Sequence, residues 1–86
     1  MTVKDLKDLI HNLPDEMEVI LQKDAEGNGY SPLSEGYTGI YAADTTWYGD
    51  VFLETYTFED VGFDTEEEWE AYKSKMGRSL ILRPIN

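Results

Sequence analysis

Residues 64 to 77, DTEEEWEAYKSKMG, carry the clearest helix pattern in the chain. Asp64 or Thr65 is suited to cap this helix, acids fill its first turn, and Gly77 follows as a stop signal. Lysines in the last turn complement the other end of the helix dipole. We expect its buried face to consist of Trp69, Tyr72 and Met76.

A second helix is predicted at the start of the chain, over residues 2 to 13. Thr2 and Asp5 have the spacing of a capping box, and Pro14 ends the pattern. The apolar residues recur at helical spacing and so share one stripe. They are Val3, Leu6, Leu9, Ile10 and Leu13.

The rest of the chain favours strands. Apolar and β-branched residues predict strands over 17 to 22, 37 to 43, 51 to 57 and 79 to 85, with a turn or long loop over 24 to 35. The last of these has a nearly continuous apolar run, which places it inside the sheet beside the first strand. The predicted fold is therefore α+β, one domain of residues 1 to 86 in the order α-β-β-β-α-β, with two helices on a mainly antiparallel sheet.

Charge and composition exclude several classes of function. The chain has 86 residues, no cysteine, and 18 acidic against 7 basic side chains, for a net charge of −11. Such a field repels DNA, RNA and anionic membranes, so we expect no direct nucleic-acid or membrane binding. No signal peptide or membrane span is visible, which predicts a cytoplasmic protein.

The acidity is concentrated between residues 59 and 70, which hold seven acids and no base. One interpretation is a solvated surface that keeps a small protein in solution. The other is a surface that binds a basic partner protein. Its residues are Glu59, Asp60, Asp64, Glu66, Glu67, Glu68 and Glu70.

Little in the sequence indicates catalysis. His11 is the only histidine and lies beside the apolar stripe of the first helix, which is typical of a surface or boundary histidine. The serines lack an activating context, and Gly27-Asn28-Gly29 is too short for a phosphate-binding loop. We therefore expect no enzymatic activity and no catalytic residue.

One loop has oxygen-bearing side chains at calcium-ligand spacing. Asp24, Glu26, Asn28 and Glu35 occupy positions 1, 3, 5 and 12 of such a loop, and Gly29 occupies position 6. A predicted strand precedes it instead of a helix, which argues against an EF-hand. The alternative is a turn through Asn28 and Gly29 between two strands, with no cofactor or metal.

Aromatic side chains in predicted loops suggest a second kind of site. Tyr30, Trp47 and Tyr48 are suited to stack on a nucleobase or to anchor a protein interface. A nucleotide would also need cations for its phosphates. Those available are Lys23, Arg78 and Arg83.

The segments LPDEMEV (13 to 19), DAEGNGYSPL (24 to 33) and TWYG (46 to 49) together resemble small accessory proteins of tailed bacteriophages. Those open with a short helix that ends in Leu-Pro, continue with a strand, and carry an acidic-Gly-Asn-Gly-aromatic turn. The resemblance covers about the first 50 residues. It implies an accessory protein in the cytoplasm of a bacterial host, with no activity assigned to any residue.

Three functions stay open at this stage. The chain is a phosphate mimic that inhibits a basic host nuclease or defence protein, a protein that sequesters a small signalling nucleotide, or an assembly module without a ligand. Homodimerisation through an exposed strand at residues 37 to 43 is a further alternative.

Overall fold

The computed structural model describes residues 1 to 86 and confirms the predicted α+β fold. Two helices and four strands follow in the order α-β-β-β-α-β, as the sequence predicts. The elements are α1 (Val3–Ile10), β1 (Ile20–Gln22), β2 (Tyr30–Ala43), β3 (Gly49–Phe52), α2 (Glu66–Met76) and β4 (Ser79–Pro84).

The four strands form one sheet, and β2 pairs with each of the other three. β1 is antiparallel to the start of β2, with Leu21 opposite Ser31, and β3 is antiparallel to its end, with Tyr41 opposite Val51. The prediction that β4 lies beside β1 was wrong, because β2 is 14 residues long and provides the pairing edge that β4 uses. Within the segment of residues 37 to 43, which the sequence offers for pairing with a second copy, residues 40 to 43 pair with β3.

Several boundaries differ from the sequence expectation. α1 ends at Ile10, three residues early, because the Leu13 amide bonds to the Ile10 carbonyl in a turn. β3 ends at Phe52 instead of residue 57, where the Tyr56 amide closes a turn onto the Leu53 carbonyl. β2 in turn begins at Tyr30, inside the stretch predicted as a loop.

The predicted capping box of α1 is confirmed. The Asp5 amide donates to the Thr2 hydroxyl at 3.2 Å, and the Thr2 amide donates to the Asp5 carboxylate at 2.9 Å. The bond from the Thr2 amide favours the charged carboxylate and so holds the pKa of Asp5 below its usual range. Together the two bonds satisfy two donors that the first turn of a helix otherwise leaves unpaired.

The chain groups into two compact units. Unit 1 contains Met1–Glu35 and Leu82–Asn86, and unit 2 contains Gly36–Ile81.

Unit 2 contains the apolar core of the protein, built around Ile40 and Trp69, which are each 2% exposed. The Trp69 ring contacts three other aromatic rings, and its Nε1–H donates to the Tyr56 carbonyl at 2.8 Å. The predicted buried face of α2 is therefore confirmed at Trp69, whereas Met76 is exposed. The surrounding rings belong to Phe52, Phe63 and Tyr72.

Unit 1 has one fully buried residue, Ser31, whose hydroxyl accepts a hydrogen bond from the Asn86 amide at 3.1 Å. The Ile85 amide donates to the Pro32 carbonyl, and Arg83 pairs with Glu35 at 2.9 Å. No apolar side chain of this unit is buried.

Candidate partner-binding surfaces

The acidic surface, the seven carboxylates predicted at Glu59, Asp60, Asp64, Glu66, Glu67, Glu68 and Glu70, lies entirely within unit 2. All seven residues are exposed. Three of them precede α2, and the other four occupy positions 1, 2, 3 and 5 of that helix.

Two capping threonines and a tight turn fix the backbone of the acidic surface. The Thr57 hydroxyl and the Asp60 carboxylate each accept from the other residue's amide, at 3.2 and 2.9 Å. Gly62 follows with a φ of +85°, a conformation that favours glycine, and Thr65 then caps α2 by accepting from the Glu68 amide. The acids therefore lie on a hydrogen-bonded segment, within which the Asp60 carboxylate is itself bonded to the Thr57 amide.

Most of these carboxylates have no basic neighbour. Glu70 pairs with Lys73 at 2.8 Å, and it is the one member of the acidic surface with a cation within 4.0 Å. Glu66, Glu67 and Glu68 lie in the first turn of α2, where the positive end of the helix dipole stabilises their negative charges. The surface thus keeps a negative field that the fold itself does not neutralise.

The predicted aromatic site is divided between the two units. Trp47 and Tyr48 lie in the β2–β3 loop of unit 2, where their amides donate to the Thr45 hydroxyl at 3.2 Å. Trp47 is 80% exposed. Tyr30 opens β2 in unit 1 and is exposed as well.

The arginines proposed to hold a nucleotide phosphate are already bonded to carboxylates. Arg78 pairs with Glu54 at 2.9 Å and donates to the Thr38 hydroxyl, and Arg83 pairs with Glu35. A phosphate would have to compete with these carboxylates. No observation therefore favours nucleotide binding over the binding of a basic partner protein through the acidic surface.

The Asp24 loop is organised by hydrogen bonds to Asp24. Its carboxylate accepts from the Glu26 and Asn28 amides at 2.9 and 3.1 Å, and from Asn28 Nδ2 at 3.0 Å. The turn between two strands is confirmed, but Gly27, with a φ of +79°, takes the left-handed conformation in place of Asn28 or Gly29.

These contacts do not assemble the predicted calcium ligands. Asn28 turns its amide nitrogen, not its oxygen, toward Asp24 and Glu26. Glu35 lies in β2 and pairs with Arg83. No group of three or more carboxylate or imidazole side chains is arranged to hold a metal ion.

We expect the Asp24 loop to depend on the charge of Asp24. The carboxylate accepts hydrogen bonds from Asn28, which have the largest effect, and from the Glu26 amide. These bonds hold the pKa of Asp24 below its usual range. A depressed pKa means that the ordering is complete above the ordinary aspartate value of about 3.9 and is lost as the pH falls through the lower, folded value.

NMR measures this dependence directly. The chemical shifts of the amides at positions 26 and 28 should change together as Asp24 titrates. At neutral pH these shifts should resemble the low-pH shifts of the wild type in Asp24→Ala, but not in Glu26→Gln. Titration of Asp24 at or above the ordinary value would contradict the account.

His11, which we expect to have no catalytic role, is an exposed residue that follows α1 directly. Neither helix has the length and apolar character that crossing a membrane requires.

Sequence reasoning missed one surface in unit 1, which we call the apolar groove. It lies between the end of α1 and β1 and has a volume of about 420 Å³. The helical stripe and the strand alternation identify its apolar residues, but neither pattern indicates that they stay exposed. The lining is Ile10, Leu13, Pro14, Asp15, Met17, Glu18, Val19 and Ile20.

No protein-family model, curated protein or solved structure matches this chain. The candidate sites above are therefore supported by their own geometry and chemistry.

Proposed function

We propose that the chain is a non-enzymatic protein that binds, through its acidic surface, the nucleic-acid-binding face of a basic partner protein. The observation that carries this proposal is the set of exposed carboxylates in unit 2, of which only Glu70 is paired with a cation. A bacterial cytoplasm, with a host nuclease or defence protein as the partner, is the setting that the resemblance to phage accessory proteins implies.

The electrostatic argument rests on what the fold leaves unpaired. A carboxylate already bonded to a lysine offers little to a partner, whereas an unpaired one adds attraction without breaking an internal contact. The net charge of −11 adds a long-range field that accelerates encounter with a basic surface and rejects acidic ones. Lysines and arginines that bind nucleic-acid phosphates are suited to bind carboxylates in the same way.

The test compares two variants of equal net charge. The first neutralises the acidic surface with Glu59→Gln, Asp64→Asn, Glu66→Gln and Glu67→Gln, and spares Asp60 and Glu70, which bond within unit 2. The matched control neutralises four exposed acids elsewhere, with Asp8→Asn, Glu26→Gln, Asp44→Asn and Asp50→Asn. Thermal melting first establishes that both variants are folded.

Tagged wild-type protein should capture a basic nucleic-acid-binding protein from bacterial lysate at low salt and release it at high salt. Four exposed charge pairs of a few tenths of a kcal/mol each correspond to about a tenfold change in affinity. We expect that loss in the acidic-surface variant and near-wild-type capture by the control. Equal capture by both variants, or no basic protein in the wild-type eluate, would reject the proposal.

A further inference from the structure

The apolar groove of unit 1 is a concave surface formed by one continuous stretch of chain. α1 ends at Ile10, a turn runs through Pro14, where the Met17 amide bonds to the Pro14 carbonyl, and β1 begins at Ile20. Its large apolar lining side chains are all about half exposed. A cavity of about 150 Å³ holds a benzene ring, so a groove of about 420 Å³ accommodates more than one apolar side chain.

The groove begins at Ile10, the last residue of α1, whose apolar stripe is largely uncovered. α1 is strongly amphipathic, yet none of its residues is buried, and Val3 and Leu9 are more than half exposed. Single exposed hydrophobic residues are ordinary, whereas a contiguous apolar patch rimmed by polar groups marks an interaction site. Burial of this face by an occupant would remove that apolar area from water.

Charge decides which occupant fits. The lining includes two carboxylates, Asp15 and Glu18, and no cation, and Glu16 lies between them in the chain. A second copy would bring the same carboxylates and a second net charge of −11. A segment with cations beside its apolar side chains would fill the groove and also pair with its rim.

We propose that the apolar groove binds an amphipathic segment of a partner protein that carries Lys or Arg beside apolar residues. The recognition follows the helix-in-groove mode, in which apolar side chains at helical spacing enter the groove and the flanking charges set orientation. Met17 suits this role because its flexible thioether adapts to differently shaped side chains. The groove shares no residue with the acidic surface and so adds a second interaction site to the proposed function.

The probe is a fluorescein-labelled synthetic peptide of leucine and lysine, patterned as an amphipathic helix of about 14 residues, or four turns. Its control has the same lysines but serine at every leucine position. Fluorescence anisotropy with the full chain should show binding of the leucine peptide only. Equal binding of both peptides would overturn the proposal, because charge alone would then explain the interaction.

Matched variants localise the binding. Leu13→Ser with Met17→Ser removes two groove residues, whereas Leu53→Ser with Met76→Ser removes the same residue types from exposed positions of unit 2. We expect at least about a tenfold loss of affinity, or 1.4 kcal/mol, in the first and no change in the second. Asp15→Asn with Glu18→Gln should weaken binding and reduce its salt dependence.

The remaining outcomes separate this proposal from the proposed function. The acidic-surface variant should bind the leucine peptide as the wild type does, even if it has lost its captured partner. Wild-type affinity in the groove variant would overturn the groove proposal alone. A wild-type protein that is dimeric by light scattering and becomes monomeric in the groove variant would show that a second copy occupies the groove, which also overturns it.

Discussion

Trp69→Ala is expected to destabilise the protein by about 3 to 5 kcal/mol, the usual cost of removing a buried tryptophan. Trp69 is 2% exposed and contacts the rings of Phe52, Phe63 and Tyr72. The substitution also leaves the Tyr56 carbonyl without the indole donor at 2.8 Å. The total free energy of unfolding of a small domain is of the same order as this loss. The urea midpoint of Trp69→Ala should therefore lie far below that of the wild type.

The second tryptophan is the matched control for this prediction. Trp47 is 80% exposed in the β2–β3 loop, so Trp47→Ala should change the free energy of unfolding by no more than about 0.5 kcal/mol. Urea unfolding followed by far-UV circular dichroism measures both variants without relying on the lost fluorophore. Similar destabilisation by the two substitutions would contradict the placement of the core.

Gly49→Ala should be the second most damaging substitution, at about 3 kcal/mol. A Cβ at this first residue of β3 would collide with the Ala42 carbonyl oxygen and lie 2.7 Å from the Ala43 Cα. Both atoms belong to the backbone of the paired strand, so they cannot move aside without breaking the ladder between Ala43 and Gly49. Urea unfolding gives the loss of stability, and amide exchange of residues 40 to 43 shows whether the ladder opens.

Gly62→Ala provides the comparison. A Cβ there meets no atom within 4 Å, so the cost is only that of holding a non-glycine residue at a φ of +85°, about 1 to 2 kcal/mol. If Gly62→Ala destabilised the protein as much as Gly49→Ala, close strand approach at Gly49 would not be the cause.

The elements that were predicted well are those whose signals are local. Thr2 with Asp5 and Thr65 with Glu68 form the caps that begin the two helices, and Gly77, with a φ of +73°, ends α2 as expected. These interactions span three or four residues, so the sequence contains all of their partners. The fold class follows from the order of such elements.

What the sequence could not supply depends on contacts between distant residues. β4 pairs with β2, and the start of β2 is stabilised by the pairing of Gln22 with Tyr30 and by bonds from the Ile85 and Asn86 amides. A single-sequence pattern cannot reveal such partners. The turn at Asp24 likewise depends on which side-chain atoms of Asn28 face the carboxylate.

The candidate sites divide in the same way. The acidic surface is visible in the sequence because seven acids fall within twelve residues, and their exposure follows from their charge. The apolar groove was missed because an amphipathic stripe predicts an apolar face without indicating what covers it. Leu13 and Met17 have the pattern of core residues but are exposed.

The most direct test of the central claim is displacement of DNA from the captured partner by the purified chain. Labelled duplex DNA is bound to that partner at about 0.1 M salt, and its fluorescence anisotropy is followed as the chain is added. We predict release of the DNA by the wild type and the matched control, and about tenfold weaker release by the acidic-surface variant. A partner that holds the duplex and the chain at the same time would contradict the proposal that the acidic surface occupies a nucleic-acid-binding face.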